Sequence, residues 1–306
     1  MDDLSEIIEG LARPQKTLSP KFFYDHTGSK LFDDICELPE YYLTRSELEI
    51  MQACSAEIAE LIGPHASVIE FGSGSSLKTR TLLSHLDSPA AYVPVDISEE
   101  HLEAAARSLA ADFPELEILP VAADFTRPFP LPQPRVMPER NLVYFPGSTI
   151  GNFGPESALE LLRVMHQEAG VNGALLIGVD LQKDQAILER AYNDEAGVTA
   201  EFNLNILRRL NREFGADFDP GKYKHSAIYD PESGRIEMRL VSKCDQRVSV
   251  GGRTFELAAG EFIVTEHSHK YTLEGFRKMA GLAGFQVDKI WTDSAGYFSV
   301  QLYSRC

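Results

Sequence analysis

The chain has 306 residues, 43% of them hydrophobic and 25% charged, so it can bury a sizeable core and is neither a disulfide-stapled miniprotein nor a disordered chain. Asp and Glu outnumber Lys and Arg by 46 to 29, a formal net charge of −17. That balance disfavours a duplex nucleic acid partner, which needs clustered Lys and Arg against phosphates, and a polybasic membrane anchor, while a small or cationic ligand is easily accommodated.

The start, MDDLSEIIEGLARPQ, is acidic and lacks the apolar stretch of a signal peptide, and no apolar run reaches the ~18 residues of a membrane span. Cys36, Cys54, Cys244 and Cys306 show neither a CxxC pair nor zinc spacing, so no disulfide framework and no metal site is indicated. A soluble, monomeric protein of the reducing cytoplasm is expected. Thr44, three residues before Glu47, reads as a capping box, and Leu48, Met51, Ser55, Ile58 and Ile62 then share one helical face.

From about residue 66 to 185, β-rich runs alternate with helical stretches. The runs are SVIEFG (67–72), AAYVPVD (90–96), LEILPVAAD (116–124), NLVYFPG (141–147) and GALLIGVDL (173–181). Near-continuous apolar strands separated by amphipathic helices predict a parallel sheet covered on both faces, an α/β doubly wound core. Pro128 to Pro138 holds five prolines in eleven residues and reads as a stiff surface loop. After residue 185 one long helical stretch, AILERAYNDEAGVTAEFNLNILRRLNREFG, precedes an antiparallel meander running from HSAIYD through RTFELAAGE. TLEGFRKMAGLAGF, QVDKIWTD and GYFSVQLYS then predict a helix and an antiparallel pair that close the core sheet. Residues 61–185 are therefore expected to form the core, completed by 271–306, and residues 1–60 with the insertion 186–270 a second α+β lobe.

Polar groups fall at three successive strand ends. Glu70-Phe71-Gly72-Ser73-Gly74-Ser75 follows the first strand and opens a helix, where glycine lets the backbone approach a ligand and free N–H groups are offered. Leu77 stands where a dinucleotide-binding GxGxxG has its third glycine, which counts against an NAD-dependent dehydrogenase, as does the lack of a catalytic His or a Tyr-x-x-x-Lys pair. Asp96 ends the second strand, where a carboxylate can accept from both ribose hydroxyls, and Asp124-Phe125 ends the third, near an adenine. Together these features resemble the Rossmann-like class I methyltransferases that use S-adenosylmethionine (SAM).

KFFYDHTGSKLFDDICELPEYYLTRSE, EFGSGSSLKTR, YVPVDIS, ADFTRP, YFPGSTIGNF, GVDLQKD, AYNDEAGVTAEFNLNILRRLNREFGADFD and TEHSHKY are long and colinear, and cover about residues 20 to 300. They resemble the histidine Nα-methyltransferases of ergothioneine biosynthesis, themselves similar to fungal tryptophan methyltransferases. The resemblance implies up to three methyl transfers from SAM to the α-amino nitrogen of free L-histidine, giving hercynine and S-adenosylhomocysteine. It also implies that Tyr24, Gly72, Lys78, Asp96, Asp124 and Phe125 hold SAM. Tyr41, Asn152, Tyr192, Met238, Glu266 and Ser268 would hold the amino acid, with Asn152 and Tyr41 nearest the reaction.

Glu266 and Ser268 are one residue apart, so on a strand both face the same way and can meet the two imidazole nitrogens. Tyr192 can donate to the substrate carboxylate without a full counter-charge. His267 and His269 lie on the opposite face and are expected at the solvent surface; relatives often carry an apolar residue where His267 stands. Methyl transfer from a sulfonium needs no protein nucleophile, and no dedicated base is evident. Two other functions stay open at this level: methylation of another aromatic amino acid such as tryptophan, which Glu266 disfavours, and a non-catalytic SAM-binding regulator.

Overall fold

A computed structural model describes residues 2–72, 77–97 and 99–306. It groups into two compact units, one of Leu43–Gln182 with Tyr271–Cys306 and one of Met1–Tyr42 with Lys183–Lys270. The first holds β1 (Ala66–Phe71), β2 (Ala91–Asp96), β3 (Val121–Ala122), β4 (Arg140–Phe145) and β5 (Ala174–Asp180), all parallel. Every residue of β1 and β5 is buried, as strands covered on both faces require. Helix Pro155–Ala169 shows how the cover is made. Proline occupies its first turn, Ala158, Leu161, Leu162, Met165 and Ala169 face the core, and Gly170 ends it at φ +67°.

β3 is far shorter than the run 116–124 suggests. Pro120 cannot donate to a ladder, so upstream of it only Ile118 bridges Tyr92. The capping box at Thr44 and Glu47 is also corrected: the helix runs Tyr42–Ile62 and both residues lie within it. From Leu43 onward this helix goes with the core unit, so the division falls at residue 42 and not at 60. Its side chains explain why: the Ser46 hydroxyl donates to Asp293 at 3.0 Å, and Glu57 accepts from the Trp291 indole at 2.7 Å.

The other unit contains β6 (Tyr223–Asp230), β7 (Arg235–Ser242), β8 (Gln246–Val250), β9 (Arg253–Leu257) and β10 (Phe262–His269). The expected single meander is instead a three-stranded antiparallel sheet, β10-β7-β6, and a separate β8-β9 hairpin. The long helical stretch before it breaks in two, Gln185–Tyr192 and Val198–Phe214. Gly197 takes φ +75° at the break, and the Asp194 carboxylate caps the new helix by accepting from the amides of Val198 and Thr199, each at 2.8 Å.

The chain then returns to the core unit. β11 (Phe285–Thr292) and β12 (Phe298–Arg305) pair antiparallel, and β12 runs antiparallel beside β5, giving a seven-stranded sheet of order β11-β12-β5-β4-β1-β2-β3. The expected closure by an antiparallel pair is borne out. Strand order reverses between β1 and β4, so their carboxyl ends open the crevice where α/β sheets bind ligands. Among the described residues no helix is long and apolar enough to cross a membrane.

Candidate active site

Six of the twelve residues assigned by resemblance lie in the core unit: Gly72, Lys78, Asp96, Asp124, Phe125 and Asn152. Gly72 follows β1 at φ +73°, its amide donating to the Val95 carbonyl at 2.9 Å, and a Cβ there would stand 3.6 Å from the Phe125 ring. Ser73, Gly74 and Ser75 of the same motif lie outside the described residues. Phe125 packs on Phe71 and Phe145, with ring centroids 5.6 and 5.9 Å away. Asp96 ends β2 half-buried, and its carbonyl accepts the Ala123 amide at 3.0 Å, which sets it beside the Asp124 segment. Asp124 spends Oδ1 locally, accepting from the Thr126 amide at 3.0 Å and the Thr126 hydroxyl at 2.6 Å.

Glu70, one position before Phe71, is buried and turned to the scaffold. It accepts from the Thr79 hydroxyl at 3.0 Å and the Tyr92 phenol at 2.6 Å, and burial pushes its carboxyl up to about 7. Helix Leu77–His85 is thereby fastened to β1 and β2, with Lys78 in its first turn. Lys78 does not stand alone: its ammonium meets the Glu47 carboxylate at 2.6 Å. Glu47 also accepts the Gly147 amide at 2.9 and 3.1 Å. The loop from β4 to Asn152 turns sharply, with Gly147 at φ +79° and Ser148 at φ +57°. A non-glycine residue there costs on the order of 1 kcal/mol, and the Ser148 hydroxyl oxygen, which accepts the Asp180 amide at 2.8 Å, helps hold it. Asn152 closes the short 3-10 helix Thr149–Asn152 that follows.

Tyr24, Tyr41, Tyr192, Met238, Glu266 and Ser268 lie in the second unit. Tyr24 follows the 3-10 helix Pro20–Phe23, 41% exposed, its ring against Phe32 and Phe202. Tyr41 is buried, its ring 6.1 Å from that of Tyr192. Burial first, then the neighbouring Tyr192, Cys36, Tyr24 and Glu266, holds the Tyr41 hydroxyl well above its usual pKa, so it stays a protonated donor.

A bulge aims the acidic residue. Val264 pairs with Arg239 but Glu266 pairs with Met238, so Thr265 is an extra residue in β10. The Thr265 hydroxyl, fully buried, donates to Asn203 at 2.7 Å and anchors the bulge. In unbroken register Glu266 would stand opposite Glu237, like charge against like. With the bulge, Glu266, Ser268 and Met238 share one face, while Glu237 is left on the other between Arg235 and Arg239, 2.6 Å from each. Glu266 is half-buried and its carboxylate has no hydrogen-bond partner among the described residues. Burial pushes its carboxyl up to about 7, and the positive charge of Lys270 pulls the other way.

Lys270 is the residue the sequence reading missed in this unit. It is 3% exposed, and its ammonium donates to the Tyr192 phenol oxygen at 3.0 Å and the Ser268 hydroxyl at 2.8 Å, while the two hydroxyls lie 2.9 Å apart. Tyr192 thus has a full positive charge beside it, contrary to the expectation of none. The signal was present in the motif, since Glu266, Ser268 and Lys270 continue one row at i, i+2 and i+4. His269 is corrected as well: it is 6% exposed, and burial first, then Arg235, lowers it to about 4. His267 is half-buried with Nε2 3.5 Å from Glu237. Among the described residues no three His, Cys, Asp or Glu side chains are grouped to hold a metal ion.

Residues 3–305 match the family described as histidine-specific methyltransferase, SAM-dependent. The chain is 40% identical to the histidine N-alpha-methyltransferase of Mycobacterium tuberculosis, over 98% of this chain and 94% of that protein. Identity to the protein of the same name from Mycolicibacterium smegmatis is also 40%, with the same coverage. Ergothioneine biosynthesis protein 1 of Neurospora crassa is 32% identical over 95% of this chain, which corresponds to 34% of that longer protein.

Proposed function

The chain belongs to the histidine-specific, SAM-dependent methyltransferases, and from that premise we propose how its residues divide the reaction. It is an enzyme with a class I α/β core that methylates the α-amino nitrogen of free L-histidine, and hercynine is the end product of three transfers. SAM supplies a methyl group already activated by its sulfonium, so that the N–C bond forms as the S–C bond breaks and S-adenosylhomocysteine leaves.

The core unit's donor set suits SAM. Gly72 has no side chain to fend off a ligand, the Asp96 carboxylate accepts from a ribose diol, and Phe125 offers an apolar face to adenine. Lys78 answers the methionine carboxylate, and Tyr24 completes the set by resemblance. Asp96→Ala removes two hydrogen bonds to the ribose and is expected to weaken SAM binding by about ten to a hundred fold. Unchanged affinity by calorimetry would remove Asp96 from the site.

The observation that carries the amino acid reading is the row Glu266, Ser268, Lys270 beside Tyr192. An unpartnered carboxylate takes an imidazole N–H, Ser268 takes the other ring nitrogen, and the Lys270–Tyr192 pair takes the substrate carboxylate. Met238, opposite Glu266, is the apolar wall under the ring. Asn152 and the protonated Tyr41 orient the α-amine. Their task is to hold its lone pair toward the methyl group after the proton has left to water, and to let it turn between transfers. Four scattered cysteines with neither a CxxC pair nor zinc spacing suit a reducing compartment, and we place the enzyme in the cytoplasm.

The test is mass spectrometry of incubations with SAM and each of the twenty amino acids in turn. Histidine should be consumed fastest, through mono- and dimethyl species to the trimethyl product. Faster turnover of tryptophan, or of any acceptor without an imidazole, would overturn the acceptor reading.

A further inference from the structure

Glu47 was read from the sequence as half of a helix cap, yet its carboxylate is fully buried and touches neither end of its helix. A charge in that position is costly unless it is paired. Its partners are the Lys78 ammonium at 2.6 Å and the Gly147 amide at 2.9 and 3.1 Å. One carboxylate therefore holds the first turn of Leu77–His85 and the left-handed turn that leads to Asn152.

We propose that Glu47 is a positioning residue for methyl transfer, fixing through a single carboxylate both the Lys78 ammonium and the loop that presents Asn152. The proposal rests on the reading of Lys78 and Asn152 as ligand-facing residues. An ammonium has three N–H donors, and Glu47 takes one, so Lys78 keeps donors for a second carboxylate while losing the freedom to swing away from it. Lysine is otherwise a point charge on a flexible stem, poorly suited to defining a position. The Gly147 amide, held from the same side, orients a turn whose two successive positive φ angles no regular element would stabilise.

Gly178 supports the same conclusion from the opposite direction. A Cβ on this β5 residue would fall 2.2 Å from Glu47 Oε1, so the strand leaves out a side chain where the carboxylate sits. A surface ion pair would need no such space.

The test compares SAM with 5′-methylthioadenosine, which keeps the adenosine end and lacks the amino acid carboxylate. Calorimetry on the folded wild type, Glu47→Gln, Lys78→Met and the double variant reads both affinities. Glu47→Gln should weaken SAM binding about tenfold and leave 5′-methylthioadenosine unchanged, while the double variant should lose no more than Lys78→Met alone. At saturating SAM and histidine its kcat should also fall, reporting the Asn152 loop. If Lys78→Met binds SAM as tightly as the wild type, the reading of Lys78 has failed. If Lys78→Met is weakened while Glu47→Gln is parental in affinity and kcat, the Glu47 proposal has failed. Equal loss of both ligands would mark Glu47 as a scaffold residue only and overturn it as well. Should Glu47→Gln not fold, Glu47→Asp, which keeps the charge but withdraws it by one methylene, carries the same comparison.

Discussion

Glu266→Ala is expected to lower kcat/KM for histidine by about a hundredfold while leaving SAM affinity unchanged, because an imidazole N–H loses its acceptor, at a cost of roughly 1 to 3 kcal/mol or more when the ring is charged. Discrimination against tryptophan and phenylalanine should shrink in the same variant, since an apolar ring no longer has to desolvate a carboxylate. Steady-state kinetics with the three amino acids decides it, and parental activity on histidine would sink the assignment. A pH signature accompanies the loss. With the carboxyl raised to about 7, the acceptor becomes ionised as pH passes that value, so kcat/KM for histidine should climb there in the wild type. Glu266→Gln should lack this limb and keep only the rise at higher pH from the free α-amine.

Stability should move in the opposite sense. A carboxyl whose folded pKa is raised from 4.5 to about 7 favours the fold fully below 4.5, and that contribution is lost as pH rises through 7. Glu266→Gln should therefore melt above the wild type at pH 8, with the two curves converging near pH 4. Matching melting temperatures at both pH values would contradict the raised carboxyl.

Lys270→Met should be comparably damaging, with kcat/KM for histidine down by about a hundredfold or more as the charge beside Tyr192 and Ser268 disappears. Histamine separates the causes, because it has the imidazole and the amine but no carboxylate. The wild type should strongly prefer histidine to histamine, and Lys270→Met should nearly abolish that preference without altering the affinity for SAM. Equal losses for both acceptors would mean that Lys270 serves the fold and does not meet the substrate carboxylate.

What the sequence made legible was whatever a single segment encodes. Unbroken apolar runs such as ALLIGVD mark strands buried on both faces, and Gly72, Asp96 and Phe125 stand at strand ends countable from those runs. Pro120 and Gly197 were in plain view, and each overrode its neighbours: the proline trimmed a strand, and the glycine, with Asp194, broke a helix. Features that depend on a distant segment were not legible. The spacing of Thr44 and Glu47 fits a cap locally, and only the approach of Lys78 and Gly147 reveals the other role. Thr265 looks like any strand residue until β7 supplies the register against which it is one too many. Lys270 has no stated role in its own segment, and only the approach of Tyr192 from a distant helix reveals one.

Each unit is assembled from segments on both sides of the other, and this fixes an order of events on the ribosome. β5 finds its antiparallel neighbour only when β12 emerges, with Asp180 waiting for Phe298 and Ala174 for Ser304. At about 5 to 20 residues per second, a nascent chain carries that buried strand as an open edge for roughly 6 to 25 seconds. Residues 2–42 likewise remain without most of their unit until residue 270 has been made. Truncated translation products should therefore be bound by chaperones or degraded, and ribosome-stalled chains ending before β12 should be cut by added protease where the finished enzyme resists it.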